Sequence, residues 1–237
     1  MPLREHITRP LLPGKMYHLY NRGNEVGTRI CFEEDNYRYF LRCLARKMNA
    51  YMQFYAFCVL PDHYHLMVRI RTEQEVLQAA TRDIKQLRPD MARAWGLPPR
   101  MPICQFSENW QMYAPALRER VVAWAVAEQY RRCMLGYTKA LNKRLGRRGS
   151  LMQKPFRRKL FEELASCKRL IRYIHQNPSR HGHVSDFRVW PWSSWQVYLG
   201  EGNTDLPRQE VFAWFGGRDG FVKWHRTASR PEQVDEP

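Results

Sequence analysis

No stretch of the 237 residues is apolar for long enough to span a membrane, and Met1 to Pro10 lacks the apolar core of a signal peptide. Both absences predict a protein of the cytoplasm. The six cysteines, Cys31, Cys43, Cys58, Cys104, Cys133 and Cys167, are scattered and form no Cys-x-x-Cys pair, so nothing suggests a disulfide framework or a zinc ribbon. In a reducing compartment they read as buried small hydrophobes. Acidic residues are scarce beside basic ones, 23 Asp+Glu against 39 Lys+Arg, a net charge of +16 and a pI near 9.9. A chain so basic is expected to meet a polyanion. Nucleic acid comes first, because no basic amphipathic helix stands apart from the fold as a membrane anchor would, and the protein is then nucleoid-associated. There is no internal repeat.

What is present suffices for a packed domain. A hydrophobic fraction of 44% with 13% aromatics excludes wholesale disorder. Met16 to Tyr20 reads as a strand, followed by a polar turn from Asn21 to Asn24. From Glu33 to Met48 apolar residues recur at helical spacing behind an acidic first turn. Tyr51 to Leu60 and His63 to Ile70 form a β-hairpin joined through Pro61 and Asp62. Helical patterns follow over Thr72 to Leu87 and Arg120 to Leu145. Between them the proline-rich segment Arg88 to Pro115 reads as an insertion. A strand in the second half of Arg147 to Phe161 precedes a helix from Leu164 to His175, which Pro178 is expected to end. This order predicts an α+β fold, an antiparallel sheet with helices packed on one face, of ferredoxin-like or RNA-recognition-like type. Residues 1–200 form the domain, with 88–115 inserted, and 201–237 form a tail whose end, from Thr227, reads as disordered.

The chemistry centres on His63-Tyr64-His65. Alternate residues of a strand share a face, so both imidazoles point one way and can converge on a metal ion. An isolated pair of this kind is more often ordinary strand surface. Tyr173 and Asn177 stand four residues apart near the end of the last long helix, where both side chains can reach one place. Taken singly, Asn177 is a helix C-cap and Tyr173 an amphipathic surface aromatic. Taken together with the histidines they describe a metal with two imidazoles and an amide, beside a tyrosine nucleophile. A phenol is a weak nucleophile at neutral pH and needs such help.

Four strings carry a resemblance: Tyr17 to Asn24, Leu60 to Leu66, Tyr173 to Arg180 and Trp190 to Ser194. In this order they resemble the REP-associated tyrosine transposases, members of the HUH superfamily of single-tyrosine endonucleases, over roughly Lys15 to Gly200. The resemblance implies an HUH endonuclease fold and the cutting and rejoining of single-stranded DNA at or near palindromic hairpins. It further implies a 5′-phosphotyrosine intermediate, Mg²⁺ or Mn²⁺, a monomer or homodimer, His63, His65 and Asn177 as metal ligands, and Tyr173 as nucleophile. Four places depart from the family, one being the Arg88 to Pro115 segment, which is longer and more proline-rich than the family's. Asp62 stands where Asn is usual, His181-Gly182-His183 follows where Ala-Gly is common, and Pro155-Phe156 replaces a Gly-Arg-Phe-like string. His181 and His183 read as loop surface.

Arg22, Arg147, Arg148, Lys154, Arg157, Arg158 and Lys159, interleaved with Phe156, fit a groove that holds single-stranded DNA by charge and stacking. Two further readings stand beside this one. The first is a non-catalytic nucleic-acid-binding sheet on which Tyr17, Tyr55 and Phe57 stack bases. The second is a relaxase or replication-initiation nuclease of the same chemistry. The indole-rich segment Trp190 to Trp195 reads as packing against the sheet.

Overall fold

The computed structural model describes residues 9–226. At its centre lie β1 (Met16–Arg22), β2 (Met52–Val59), β3 (His63–Ile70) and β4 (Arg157–Phe161), antiparallel throughout and ordered β2-β3-β1-β4. A helical connection follows β1 and another precedes β4. With this strand order the result is the split βαβ arrangement of ferredoxin-like folds, so the α+β class expected from the sequence is the one observed.

Alternation of side chains gives the sheet two distinct faces. Tyr17, Leu19, Tyr64 and Leu66 point to one, where α1 (Glu34–Met48) and the long α5 (Pro115–Arg144) pack. There Phe40 lies against Tyr64, and the Tyr64 and Tyr130 hydroxyls meet at 2.7 Å. The second face carries His18, Tyr20, His63 and His65 and is covered by α6 (Leu164–Arg180), which packs mainly on β2 and β3. Helices therefore cover both faces. The candidate site lies between the sheet and α6.

Local chemistry sets the starts of the two helices that flank the central hairpin in sequence. Glu33 and Asn36 close a capping box at the start of α1, and Thr72 and Glu75 do the same for α2 (Glu73–Asp83). Two boundaries differ from the sequence reading. β1 runs on through Asn21 and Arg22, because β3 pairs with both residues, Asn21 opposite Tyr64 and Arg22 opposite His63. α6 continues through Pro178 to Arg180. A proline so late removes few helical bonds, and His181 N–H still closes the last turn on the Asn177 carbonyl at 3.1 Å. Asn177 is therefore an interior helical residue and no cap.

The proline-rich insertion contains α3 (Pro89–Ala94), α4 (Ile103–Glu108) and a 3₁₀ turn at Trp110–Met112. Its prolines start helices, Pro89 at the first position of α3 and Pro102 as the cap of α4. Past the indole-rich segment come α7 (Ser194–Leu199), α8 (Arg208–Trp214) and α9 (Arg218–Arg226). Residues 201–226 are therefore largely structured and no loose tail; Phe221 is fully buried. The disorder expected from Thr227 onward lies outside the described residues. Five cysteines are buried as expected, while Cys104 is exposed. The indoles do pack on the sheet: Trp190 Nε1–H donates to the Val59 carbonyl and Trp192 stacks on Tyr37. Among the described residues no helix is long and apolar enough to cross a membrane.

Candidate active site between the sheet and the last long helix

His63 and His65 leave β3 on the same face, as period-two geometry requires, with ring centroids 5.2 Å apart and ring planes nearly perpendicular. From α6, Asn177 projects between them and the helix. Its Oδ1 lies 3.0 Å from His63 Nε2, across 114 residues of sequence. Tyr173, one helical turn earlier, presents its ring edge-on to His65 at 5.3 Å. The four side chains singled out in the sequence thus share one volume, and all are buried, Asn177 and His65 completely.

The hydrogen bonds fix how the imidazoles are held. Asp62 is kept below the usual carboxylate range chiefly by its bond with His63, and an ionised carboxylate only accepts. His63 Nδ1–H therefore donates to Asp62 Oδ1 at 2.8 Å. The Nε2 of a neutral His63 ring then turns a lone pair toward the Asn177 amide oxygen, which is another acceptor. A cation held by both atoms resolves that contact, and so does the turned-over amide, whose Nδ2–H, here buried without a partner, then donates to Nε2. His65 Nδ1 meets His18 Nε2 at 2.9 Å, while His65 Nε2 is buried without a hydrogen-bond partner. Burial, and then the neighbouring His18, His63 and His181, push His65 well below the ordinary histidine value, so its ring is neutral. A neutral imidazole with one unpartnered nitrogen, beside a second imidazole that meets an amide oxygen, is a donor set suited to a divalent ion. Among the described residues no group of three His, Cys, Asp or Glu side chains is arranged to hold a metal, and here the third donor is an amide.

Three neighbours were given no such place by the sequence reading. His18, from β1, stacks on Tyr20 at 4.6 Å and holds His65 by hydrogen bond. His181, read as loop surface, sets its ring 4.6 Å from His63. The Arg180 guanidinium lies 5.1 Å over the Tyr173 ring. The signal for His181 and Arg180 was their distance from Asn177 and Tyr173 along a helix that Pro178 was expected to end. His18 could be found only by pairing β1 with β3.

The basic residues separate into two groups. In register, Arg22 stands opposite His63, while Arg157 and Lys159 stand opposite Tyr20 and His18, so all three share the face of the site. Arg158 points the other way. It is buried, with its guanidinium 4.1 Å from the Phe156 ring, and loss of solvent lowers its pKa to about 10. The loop holding Arg147, Arg148 and Lys154 is drawn to the end of β1, where Gln153 N–H donates to the Arg22 carbonyl and Asn24 N–H to that of Leu151. The base-stacking platform does not form, because Tyr17 and Tyr55 are fully buried with their hydroxyls bonded to the Pro10 carbonyl and Glu210.

No family model matches the chain, and no curated protein matches it. One solved structure, of a REP-associated tyrosine transposase bound to a REP hairpin, is similar at 15% identity and a TM-score of 0.46, over 82% of this chain and 84% of that one. A likeness of that size carries no argument about this site.

Proposed function

We propose that the protein is a metal-dependent transposase or endonuclease that cuts and rejoins single-stranded DNA at or near palindromic hairpin repeats through a 5′-phosphotyrosine intermediate. The observation that carries this reading is the meeting of His63, His65, Asn177 and Tyr173, from two distant segments, in one buried volume. Such an assembly has no need to exist in a sheet that only binds nucleic acid.

In this reading His63 Nε2, His65 Nε2 and Asn177 Oδ1 hold Mg²⁺ or Mn²⁺. Asp62 and His18 fix the two rings through their other nitrogens, as outer partners of metal-bound histidines do. An ion held there would supply Lewis-acid polarisation of a phosphodiester oxygen. Tyr173 loses its phenolic proton and its oxygen bonds to phosphorus as the bond from phosphorus to the 3′ oxygen breaks. That oxygen takes up a proton and leaves as a 3′-hydroxyl. In rejoining, a 3′-hydroxyl attacks the same phosphorus and returns the oxygen to Tyr173. Arg22, Arg157 and Lys159 flank this face and hold phosphates on either side of the reacting one. The Tyr173 hydroxyl is buried in the conformation described, so a strand reaches it only when the cover over the ring moves. Arg180, exposed and lying on that ring, belongs to this cover.

The test uses labelled single-stranded oligonucleotides that carry a hairpin, with Mn²⁺. A denaturation-resistant protein–DNA adduct is expected from the wild type and none from Tyr173→Phe. If the wild type forms no adduct on any hairpin substrate, or Tyr173→Phe forms as much, the reading is wrong.

A further inference from the structure

A second feature borders the proposed site on the outer side of α6. The end of this helix, the 3₁₀ turn at Phe187–Val189 and the last turn of α9 line an open cavity of 670 Å³. Three of its walls carry guanidinium groups, Arg180, Arg188 and Arg226. Among the described residues Asp186 is the carboxylate of this lining, and it is committed to Arg188 at 2.6 Å, so within this set two of the three positive charges are left over. Gln176 spends its amide N–H on the His225 carbonyl and thereby ties α9 to the floor of the cavity. Ser179 Oγ is buried in the wall without a hydrogen-bond partner. Uncompensated guanidinium groups beside an unused hydroxyl donor are the chemistry of a phosphate site.

One of these residues serves both places. Arg180 lines the cavity and also lies over the Tyr173 ring. At about 100° per residue, Arg180 sits on α6 between the side that carries Tyr173 and Asn177 and the side that carries Gln176 and Ser179. The cavity and the proposed catalytic volume are therefore neighbouring stations on one path over the end of α6.

Resting on the function proposed above, we infer that this cavity binds a backbone phosphate of the single-stranded DNA that runs into the site, with Arg226 and Arg180 as its charged ligands. Arg180 hands the strand from the cavity to Tyr173. A contiguous strand makes both contacts at once, which a free nucleotide cannot, and the open shape of the cavity suits a chain that passes through.

The experiment measures binding of an unstructured oligothymidylate to the full chain across a series of salt concentrations, without metal. Arg226→Gln and Arg180→Gln are compared with Arg46→Gln on the exposed side of α1. Each lost phosphate contact on a single strand lowers the slope of log affinity against log salt by about 0.7. Both cavity variants are expected to show that drop, Arg226→Lys to restore it, and Arg46→Gln to behave as wild type. Slopes and affinities unchanged in both cavity variants, with thermal unfolding like the wild type, would overturn the assignment. Displacement of the oligothymidylate by excess thymidine monophosphate would overturn it too, because the cavity would then be a nucleotide pocket. The two proposals fail separately. Absence of the tyrosine adduct with arginine-dependent binding retained removes the enzyme and keeps the strand site. An adduct with unchanged slopes removes only the strand site.

Discussion

His63 Nε2 and Asn177 Oδ1, 114 residues apart in the chain, face each other at 3.0 Å with Asp62 bonded to the far side of the imidazole. A ring nitrogen and an amide oxygen at that distance are placed to share a bound cation. Mn²⁺ is therefore expected to stabilise the folded protein, by about 2.7 kcal/mol at a free concentration one hundred times its dissociation constant. His63→Ala and Asn177→Ala are expected to abolish the metal-dependent rise in melting temperature. The same variants are expected to lose cleavage while keeping most of their DNA affinity, because phosphate contacts on the flanking basic residues survive. A rise that persists in either variant places the metal elsewhere.

Strand alternation divides the basic run of β4. Arg157→Gln and Lys159→Gln are each expected to weaken single-stranded DNA binding and to lower its salt dependence. Arg158→Gln is expected to leave affinity unchanged, since its guanidinium is buried against Phe156 on the other face. It is expected instead to lower stability by about 1–3 kcal/mol, through lost packing and the loss of its bond to the Arg9 carbonyl. Filter binding and urea unfolding on the three variants separate these outcomes.

Acid is expected to loosen the C-terminal helices. His225 Nδ1–H donates to the Phe221 carbonyl, so its Nε2 accepts from His175 Nδ1–H, and His175 Nε2 accepts from Ser194 Oγ–H. Burial drives His225 from 6.5 to about 4 and His175 well below its ordinary value. Both rings are thus neutral when folded and free to protonate when unfolded. The stabilisation is complete above about 6.5 and is lost as pH falls from there toward about 4. The His225 shift alone corresponds to roughly 3 kcal/mol. A His225→Gln variant, whose amide does not titrate, is expected to be less stable at neutral pH and to lose less on acidification.

Gly23 marks a close approach beside the site. Its N–H donates to the Asp62 carbonyl at 2.8 Å, and a Cβ on it would fall on the carbonyl oxygen of Thr28. Gly23→Ala is expected to cost about 1–3 kcal/mol and to displace the hairpin end that carries Asp62 and His63. Unchanged thermal stability and Mn²⁺ response in this variant would show that the loop yields without cost.

The opposed Tyr64 and Tyr130 hydroxyls form a buried pair at 2.7 Å. Tyr64→Phe takes this partner from the Tyr130 hydroxyl, at about 1–3 kcal/mol, Tyr130→Phe leaves Tyr64 with Met134 Sδ, and the double Phe variant leaves no hydroxyl to satisfy. The double variant is therefore expected to lose less than the sum of the two single losses in urea unfolding.

By itself the sequence determined the α+β class, the hairpin that turns His63 and His65 to one side, and the helical spacing that joins Tyr173 to Asn177. These rest on local periodicity, which follows from backbone geometry over a few residues. Only the tertiary structure decided the rest. Pairing of β1 with β3 brought His18 against His65, and burial of Pro178 inside α6 carried the helix on to Arg180 and toward His181. The face of a strand sorted Arg157 from Arg158, two basic neighbours that composition cannot tell apart. Such relations depend on the pairing and packing of separate elements, and no local pattern encodes them. The meeting of His63 with Asn177 is of this kind: spacing named both residues, and the packing of α6 on the sheet brought them within 3.0 Å.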